Sequence, residues 1–192
     1  MSEQAPLRVD VDRNRAARKY RRGTQVARVA WALARPAFAF SPRILWGWRR
    51  WLLRRFGARV GRGVHVCPGV RIAMPWNLAI GDDAAVGDRA ILYALGPIRI
   101  GARCTVSQGA HLCAGSHDWR RADMALLKPP VTIEEDVWIC AEAFVGPGVV
   151  VGRGAIVAAR AVVMRRVPAG MIAAGNPATV RPKPAGEESE AP

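Results

Sequence analysis

Aliphatic side chains recur at every sixth residue over most of the chain that follows residue 59. A period of six fits neither an α-helix, which repeats every 3.6 residues, nor a single strand, which repeats every two. It predicts a short strand and a tight turn, with three such repeats forming one triangular coil. The 15 positions all hold Val, Ile or Leu, in five groups of three: Val60, Val66, Ile72; Ile80, Val86, Leu92; Ile100, Val106, Leu112; Ile133, Ile139, Val145; Val151, Val157, Val163.

Small or β-branched residues follow most of these aliphatic positions at a distance of four, as at Ala84, Cys104 and Ala143. We expect the aliphatic side chain to point into the prism and the small one to fit at its corner. Glycine directly follows the aliphatic residue in several repeats, and we expect it to supply the backbone freedom that a sharp turn requires. Stacked coils would then pair as parallel strands about 4.8 Å apart.

The interruptions of the repeat also follow a pattern. Steps of eight residues separate Ile72 from Ile80 and Leu92 from Ile100, and a step of 21 separates Leu112 from Ile133. Each interruption follows three repeats, so all three fall on one corner of the triangle. The sequence therefore predicts an all-β solenoid, a left-handed parallel β-helix of about five coils over residues 59–168, with a long loop (117–130) inserted after the third coil.

Residues 1–58 lack the repeat. Their composition predicts a basic, helical N-terminal extension. Residues 12–35 favour helix, and residues 42–56 form a basic amphipathic element that follows a Ser-Pro helix signal. Two interpretations remain open, because the apolar face could cap the open end of the solenoid or lie on an anionic membrane. The element interleaves Trp46, Trp48, Trp51, Leu52 and Phe56 with Arg49, Arg50, Arg54 and Arg55.

The net charge of +14 could suggest a nucleic-acid partner, but the distribution of the basic residues along the chain argues against it. The arginines crowd into residues 8–62 without a recognised nucleic-acid motif, so we expect no nucleic-acid partner. The stretch Val26–Phe40 is interrupted by Arg28, Arg35 and Pro36, and the N-terminus lacks a signal-peptide pattern. We therefore expect a cytoplasmic protein, with the inner face of the plasma membrane as the peripheral site if the basic element binds lipid. In the C-terminal segment 169–192, the tail Pro182–Pro192 is rich in proline and acid and is expected to be disordered.

Three histidines and four cysteines are the candidates for chemistry. His65 and His111 occupy the last position of a hexapeptide, where a solvent-facing side chain is expected. His117 instead stands where the third coil breaks into the loop Asp118–Pro130, a suitable place for a general base near neutral pH. The cysteines show neither CxxC spacing nor an even framework, which argues against a zinc site or disulfides.

Several segments resemble the colanic acid biosynthesis acetyltransferases, within the wider family of galactoside, maltose and nodulation-type O-acetyltransferases. The resemblance covers roughly residues 42–183 and is carried by the segments GSHD, VWIC and AGNPA together with the hexapeptides. It implies transfer of an acetyl group from acetyl-CoA to a sugar hydroxyl, in exopolysaccharide or cell-surface polysaccharide biosynthesis. His117 would be the catalytic base, with no acyl-enzyme and no metal. The resemblance also implies a homotrimer with sites between neighbouring subunits, and a saccharide acceptor that is nucleotide- or lipid-linked.

The same resemblance implies two sets of binding residues. Ala141 would offer its backbone amide as an oxyanion donor, and six further residues would line the path of CoA: Ala159, Met164, Arg165, Thr179, Arg181 and Lys183. The acceptor pocket would contain Tyr93, Ala94, Asp118 and Trp119. The related enzymes carry Asn where this chain has Ala94, so the acceptor or its pose is expected to differ. For Asp118 and Trp119, capping of the loop and packing against it are the structural alternatives, and Trp138 is expected to be structural.

Three other functions remain open at this point. The γ-class carbonic anhydrases share this fold and bind zinc through three histidines, but His65, His111 and His117 are not spaced to converge. A non-catalytic solenoid scaffold is the second alternative, favoured by Ala94 alone. The third is transfer to an amine, or of a longer acyl chain.

Overall fold

Three helices precede the solenoid in the computed structural model, which describes residues 8–184. They are α1 (Val11–Ala16), α2 (Arg22–Ala39) and α3 (Trp46–Arg55). Asp10 caps the N-terminus of α1, because its carboxylate accepts a hydrogen bond from the Arg13 amide at 2.9 Å. None of the helices in this described part is long and apolar enough to cross a bilayer.

Short strands of two or three residues build the coils, as the six-residue period predicts. The first three coils comprise β1 (Arg59–Val60), β2 (His65–Val66), β3 (Arg71–Ile72), β4 (Leu78–Ile80), β5 (Ala85–Val86), β6 (Ile91–Tyr93), β7 (Ile98–Ile100), β8 (Thr105–Val106) and β9 (His111–Cys113). A hairpin of β10 (Ser116–His117) and β11 (Leu126–Leu127) follows, and then come β12 (Val131–Ile133), β13 (Trp138–Ile139), β14 (Phe144–Val145), β15 (Val150–Val151), β16 (Ile156–Val157) and β17 (Val162–Val163). Two longer strands, β18 (Met171–Gly175) and β19 (Ala178–Pro182), end the described chain.

The strands stack into three parallel faces. The first face is β1-β4-β7-β12-β15, the second runs from β2 through β5, β8, β13 and β16 to β18, and the third is β3-β6-β9-β14-β17. Five coils are complete, and a sixth begins with the Val151–Val167 bridge and with β18 on β16. The chain thus forms about six turns, one more than the aliphatic series predicts. All three interruptions lie between the third face and the next first face. We call this whole edge of the prism, which carries the insertions 73–77, 94–97 and 114–130, the insertion corner.

The core is the interior of the prism. All 15 aliphatic positions of the repeat are buried, none more than 8% exposed. The small residues Ala84, Cys104 and Ala143 are buried at the corners, as predicted. The described cysteines are free thiols, of which Cys67 and Cys104 are buried and Cys113 and Cys140 are half-buried. The prediction of the solenoid from the period is therefore confirmed.

The glycines that follow the aliphatic residues serve a different purpose from the one expected. Gly81 and Gly87 do not have positive φ angles, and left-handed backbone occurs two residues later, at Asp83 and Arg89. A Cβ on Gly81 would instead lie 2.5 Å from the Ala102 nitrogen of the next coil, and one on Gly87 would lie 2.7 Å from that of Gln108. The expectation of backbone freedom is wrong at these positions, because glycine is needed there for close stacking of the coils.

Helix α3 covers the open end of the first coil. It packs against β1 and β2, with Leu52 and Leu53 buried. Arg49 is also fully buried, and its guanidinium donates to the carbonyl oxygens of Val66, Pro42 and Arg43 and to the Ser41 hydroxyl. This packing agrees with the interpretation in which the apolar face of residues 42–56 caps the open end of the solenoid. Arg49 does not belong to a solvent-facing basic stripe, because its side chain fills the space between the helix and the first coil.

The C-terminal strands form an antiparallel hairpin on the top of the solenoid. β18 pairs with β16 in parallel and with β19 in the antiparallel direction, so β19 becomes the outermost strand of the second face. Pro182 is the last residue of β19 and pairs with Met171, which corrects its assignment to a disordered tail. The rest of that expectation falls largely on residues 185–192, outside the described residues.

Candidate functional site

His117 lies on the hairpin that projects from the insertion corner. It is the second residue of β10 and pairs with Leu126 of β11. The side chain is exposed, and its Nδ1 lies 2.6 Å from the backbone oxygen of Met124. Met124 has a φ of 43°, a left-handed conformation that is uncommon for a residue other than glycine. The tip of the hairpin is therefore bent so that a carbonyl meets the imidazole.

This contact defines the tautomer of His117. A carbonyl oxygen can only accept a hydrogen bond, so Nδ1 must carry the proton. In the neutral ring the lone pair then lies on Nε2. An imidazole held in this tautomer can accept a proton at Nε2.

The N-terminal segment holds the hairpin in place. The Asn14 side-chain amide donates to the backbone oxygens of Asp123 at 2.6 Å and Met124 at 3.1 Å. The Asp10 amide donates to the Ala122 oxygen at 2.8 Å. The carbonyl that orients His117 is therefore shared with a side chain more than 100 residues away in sequence. Nothing in the local pattern around Asn14 indicates this contact, so the sequence does not predict it.

Asp118 and Trp119 follow the histidine directly. The Asp118 carboxylate accepts a hydrogen bond from the Arg120 amide at 3.1 Å, which is the loop-capping arrangement. Trp119 is 69% exposed, and the Arg120 guanidinium lies 4.6 Å from its ring centre. The indole is therefore free to meet a ligand and does not pack into the loop.

Tyr93 and Ala94 lie at the start of the second interruption, one coil before the hairpin. Tyr93 is 40% exposed and pairs with Cys113, close to the hairpin. Ala94 is fully buried, and its carbonyl accepts a hydrogen bond from the Asn77 side chain at 2.9 Å. The expectation that Ala94 lines an acceptor pocket is therefore wrong for its side chain, because the methyl group points into the core.

Of the other two histidines, His65 is solvent-exposed as predicted and His111 is not. His65 is exposed, but its ring stacks on Trp46 of α3 at 4.6 Å. His111 is only half-buried as a residue, yet its Nε2 is buried without a hydrogen-bond partner, and burial lowers its pKa below the usual value. The rings of Tyr93 and Phe144 meet it edge-on. Solvent exposure of His111 was therefore a wrong prediction, because the outer surface of the third face is packed with aromatic rings at this height.

The histidines do not converge on a common point. His65 belongs to the first coil, His111 to the third face and His117 to the hairpin. Within residues 8–184, no group of three His, Cys, Asp or Glu side chains could hold a metal ion.

The residues assigned to CoA fall into two groups. Ala141 and Ala159 lie at the turns between the second and third faces, one coil apart, where the Arg160 amide donates to the Ala141 oxygen. The amide of Ala141 has no acceptor among the residues that the structure describes. Thr179 and Arg181 pair with Ala174 and Ile172, which places them on the outer side of the second face. Lys183 follows β19 and is exposed.

Met164 and Arg165 form the second group, at the insertion corner after β17. They line a groove of about 530 Å³ together with Ala178 and Val180 of β19. Because side chains alternate along a strand, Thr179 and Arg181 point away from this groove. The structure therefore does not bring Met164 and Arg165 together with the other predicted CoA residues within one chain. Trp138 is 50% exposed on the second face and donates to the Ser107 hydroxyl at 3.0 Å.

Sequence comparisons agree with this architecture. Residues 130–165 match the model of the bacterial transferase hexapeptide (six repeats), and residues 77–116 match that of the hexapeptide repeat of succinyl-transferase. The chain is 45% identical over 150 residues to the colanic acid biosynthesis acetyltransferase WcaF of Escherichia coli K12, covering 78% of this chain and 82% of that protein.

Structural comparisons extend the likeness in fold. A hexapeptide-repeat acetyltransferase of Vibrio cholerae O1 biovar eltor, solved with acetyl-CoA, has a TM-score of 0.75 and 24% identity, over 83% of this chain and 87% of that one. A maltose O-acetyltransferase of Clostridium difficile 630 has a TM-score of 0.78 and 20% identity, over 94% of this chain and 100% of that one. With its stacked six-residue repeats and its likeness to WcaF, the chain belongs to the hexapeptide-repeat acetyltransferases, the family of the left-handed parallel β-helix.

Proposed function

We propose that this acetyltransferase moves the acetyl group of acetyl-CoA directly to a hydroxyl group of a saccharide, with His117 as the general base. The observation that carries the proposal is the exposed imidazole with Nδ1 bound to the Met124 carbonyl. That hydrogen bond leaves Nε2 as the proton acceptor. A base of this kind commonly contributes about 10²–10⁴-fold to the rate.

The proposed step is a single transfer without an acyl-enzyme. The acceptor oxygen attacks the thioester carbonyl carbon while Nε2 of His117 takes the hydroxyl proton. The C–S bond then breaks, the sulfur leaves as the CoA thiolate, and the proton held by His117 returns to that sulfur. The free amide of Ala141 supports a role in stabilising the tetrahedral oxyanion, because a backbone N–H is available there whatever the side chain.

The distribution of the predicted residues favours a site between two copies of the chain. His117 and Met164 lie at the insertion corner, whereas Ala141 and Ala159 lie at a different corner of the same prism. Two corners of one prism face different directions, which favours contact with one CoA molecule from two neighbouring copies of the chain. We propose a homotrimer in which the insertion corner of one subunit faces the second face of its neighbour. Light scattering should give about three times 20.8 kDa, and a monomer at micromolar concentration would contradict the shared site.

The saccharide acceptor is supported by the exposed aromatic side chain beside the base. Trp119 is 69% exposed and adjoins the hairpin residue pair His117–Asp118, and aromatic rings offer an apolar face suited to a sugar ring. The similarity to WcaF, whose name refers to colanic acid biosynthesis, supports a place in surface polysaccharide synthesis. Mass spectrometry of candidate saccharides incubated with acetyl-CoA and the protein should reveal acetylated product. If no saccharide is acetylated while an amine is, the choice of acceptor is wrong.

We also infer a peripheral contact with an anionic membrane, through a surface on the N-terminal helices. Exposed apolar side chains recur along the outer side of α2 and continue into the next turn and α3, flanked by unburied arginines: Val26, Val29, Leu33, Phe40, Ile44, Trp48 and Trp51. We call this set the outer helical face. Basic residues around an apolar face are typical of interfacial helices. The inner side of α3 is occupied by the cap, so α2 contributes more of this surface than the sequence predicted.

Co-sedimentation with vesicles containing phosphatidylglycerol tests the outer helical face. Phe40 and Ile44 are 86% and 80% exposed, so the double variant Phe40→Ser/Ile44→Ser should fold and bind vesicles at least about tenfold more weakly. Val180→Ser, an exposed apolar position on β19, is the matched control. Binding should also fall as salt is added. If both variants co-sediment with vesicles as strongly as the wild type does, a membrane contact at this face is contradicted.

A further inference from the structure

A basic groove lies at the insertion corner on the side of the N-terminal segment. It has a volume of about 520 Å³, within the usual range for small-ligand sites. Four cationic residues line it, namely Arg18, Lys19, Arg21 and Lys128, together with the aromatic residues Tyr20 and Trp76. Among residues 8–184, no acidic residue lines it.

These four cations differ from those arginines of the coils that have a carboxylate partner. Arg103 pairs with Asp136 and Arg160 pairs with Glu142 along the solenoid. Within residues 8–184, by contrast, none of the four groove cations forms an ion pair. Like charges held together without a carboxylate repel one another, and a bound anion would relieve that repulsion.

The groove is built by specific contacts. The Lys128 ammonium donates to the Lys19 carbonyl at 3.0 Å and lies 4.2 Å from the centre of the Tyr20 ring. The Lys19 ammonium donates to the Asn14 side-chain oxygen at 2.8 Å. An ammonium group has three donors, so both lysines keep donors for a ligand. The segment that carries Arg18 and Arg21 is thereby fixed against the insertion corner.

The groove also lies close to the proposed base. Lys128 is two residues beyond Leu126, the antiparallel partner of His117. From the spacing of paired strands and the rise along a strand, the Cα atoms of Lys128 and His117 are roughly 8–9 Å apart. An anionic group held by Lys128 could therefore present an attached sugar ring to the histidine.

We propose that the basic groove binds the diphosphate of the acceptor, so that the acetylated saccharide is a glycosyl diphosphate and not a free sugar. This inference rests on the proposed sugar acetylation and names its substrate class. Arginine and lysine are the side chains that suit phosphate oxygens, and two linked phosphates match four cations better than one does. The diphosphate could join the sugar to a nucleoside or to a polyprenyl lipid, and the lipid would be consistent with the outer helical face.

Calorimetric titration with inorganic pyrophosphate tests the groove independently of turnover. The protein is first saturated with CoA, because CoA itself carries phosphates and pyrophosphate could otherwise bind at the CoA phosphate site. Arg18→Gln/Arg21→Gln removes two exposed cations for which no structural contact is seen in the described chain, so the fold should be retained. Each charge-assisted contact is worth about tenfold in affinity, so binding should weaken about 100-fold.

The matched control is Arg15→Gln/Arg22→Gln. It removes the same charge from the same N-terminal segment, at exposed residues that do not line the groove, and should leave pyrophosphate affinity within about threefold of the wild type. Equal weakening in both double variants would show general charge attraction and overturn the inference. Loss of pyrophosphate binding once CoA is bound would also overturn it, because the anion would then belong to the CoA site.

Two soluble diphosphates distinguish the sources of the anion. UDP and farnesyl diphosphate are each titrated into the protein with pyrophosphate bound. Stronger competition by UDP indicates a nucleoside carrier, and stronger competition by farnesyl diphosphate indicates a lipid carrier. Failure of both to compete would contradict a diphosphate acceptor. In the transfer assay, pyrophosphate should inhibit competitively with the acceptor and not with acetyl-CoA. Acetylation of saccharides without such inhibition refutes the groove, whereas absence of any acetylation refutes the proposed function and leaves the binding result intact.

Discussion

The buried guanidinium of Arg49 offers the sharpest test of how the solenoid is capped. It is 0% exposed and donates to four acceptors without any carboxylate, among them the Val66 oxygen at 2.6 Å. Arg49→Met keeps an apolar chain in this space but removes all four donors. The Val66 carbonyl then stays buried and unpaired, at a cost of about 1–3 kcal/mol.

The other three acceptors lie nearer to solvent, and each lost hydrogen bond contributes about 0.5–1 kcal/mol. Release of a buried charge offsets part of the total, so we expect a net loss of about 3 kcal/mol in the free energy of unfolding. For a chain of this size that lowers the Tm by about 6–12 °C.

Thermal unfolding followed by circular dichroism measures this difference. All variants should be compared at one protein concentration, because assembly makes the Tm depend on concentration. Arg55→Met, at an exposed position of the same helix, is the control and should shift the Tm by less than about 2 °C. If Arg49→Met unfolds at the same temperature as Arg55→Met, the guanidinium does not hold the cap and the reasoning is refuted.

Two further predictions concern the histidines. Because burial lowers the pKa of His111 in the folded protein, the unfolded chain takes up a proton at this residue as pH falls through the ordinary value of 6.5 while the folded protein does not. The wild type therefore loses stability, and His111→Leu should gain stability relative to it between pH 7 and pH 5; a constant difference across that range would contradict this. Asn14→Ala should lower kcat about fivefold and shift its pH profile, since Asn14 shares the Met124 carbonyl that orients His117, with acetyl-CoA affinity unchanged. Gln25→Ala, which removes only a surface hydrogen bond to Arg28, is the control, and an equal effect in both would leave Asn14 without a positioning role.

The fold could be predicted because its period is local. Each coil needs an aliphatic residue that points inward at the same positions. The aliphatic repeat from Val60 to Val163 therefore predicts the solenoid without knowledge of any long-range contact. The insertion corner was predicted from the number of residues between successive aliphatic positions. The same count placed His117 at the start of the long loop, and the structure shows that this loop contains a hairpin.

The details of the site depend on contacts between distant segments, which no period reveals. Asn14 contacts the loop, and Lys128 contacts the N-terminal segment. Each contact joins residues about 110 positions apart in sequence. Ala94 and His111 were misjudged for a related reason. Burial at the insertion corner and on the third face depends on what neighbouring coils pack there, and the repeat position alone does not specify it.

The central claim is that Nε2 of His117 removes the proton of the acceptor hydroxyl. Steady-state kinetics of His117→Ala with acetyl-CoA and an established acceptor tests it most directly, with His65→Ala as the matched control. We expect kcat to fall by about 10²–10⁴-fold in His117→Ala while acetyl-CoA affinity and assembly are retained, and His65→Ala should keep most of its activity. A wild-type kcat in His117→Ala would contradict the account.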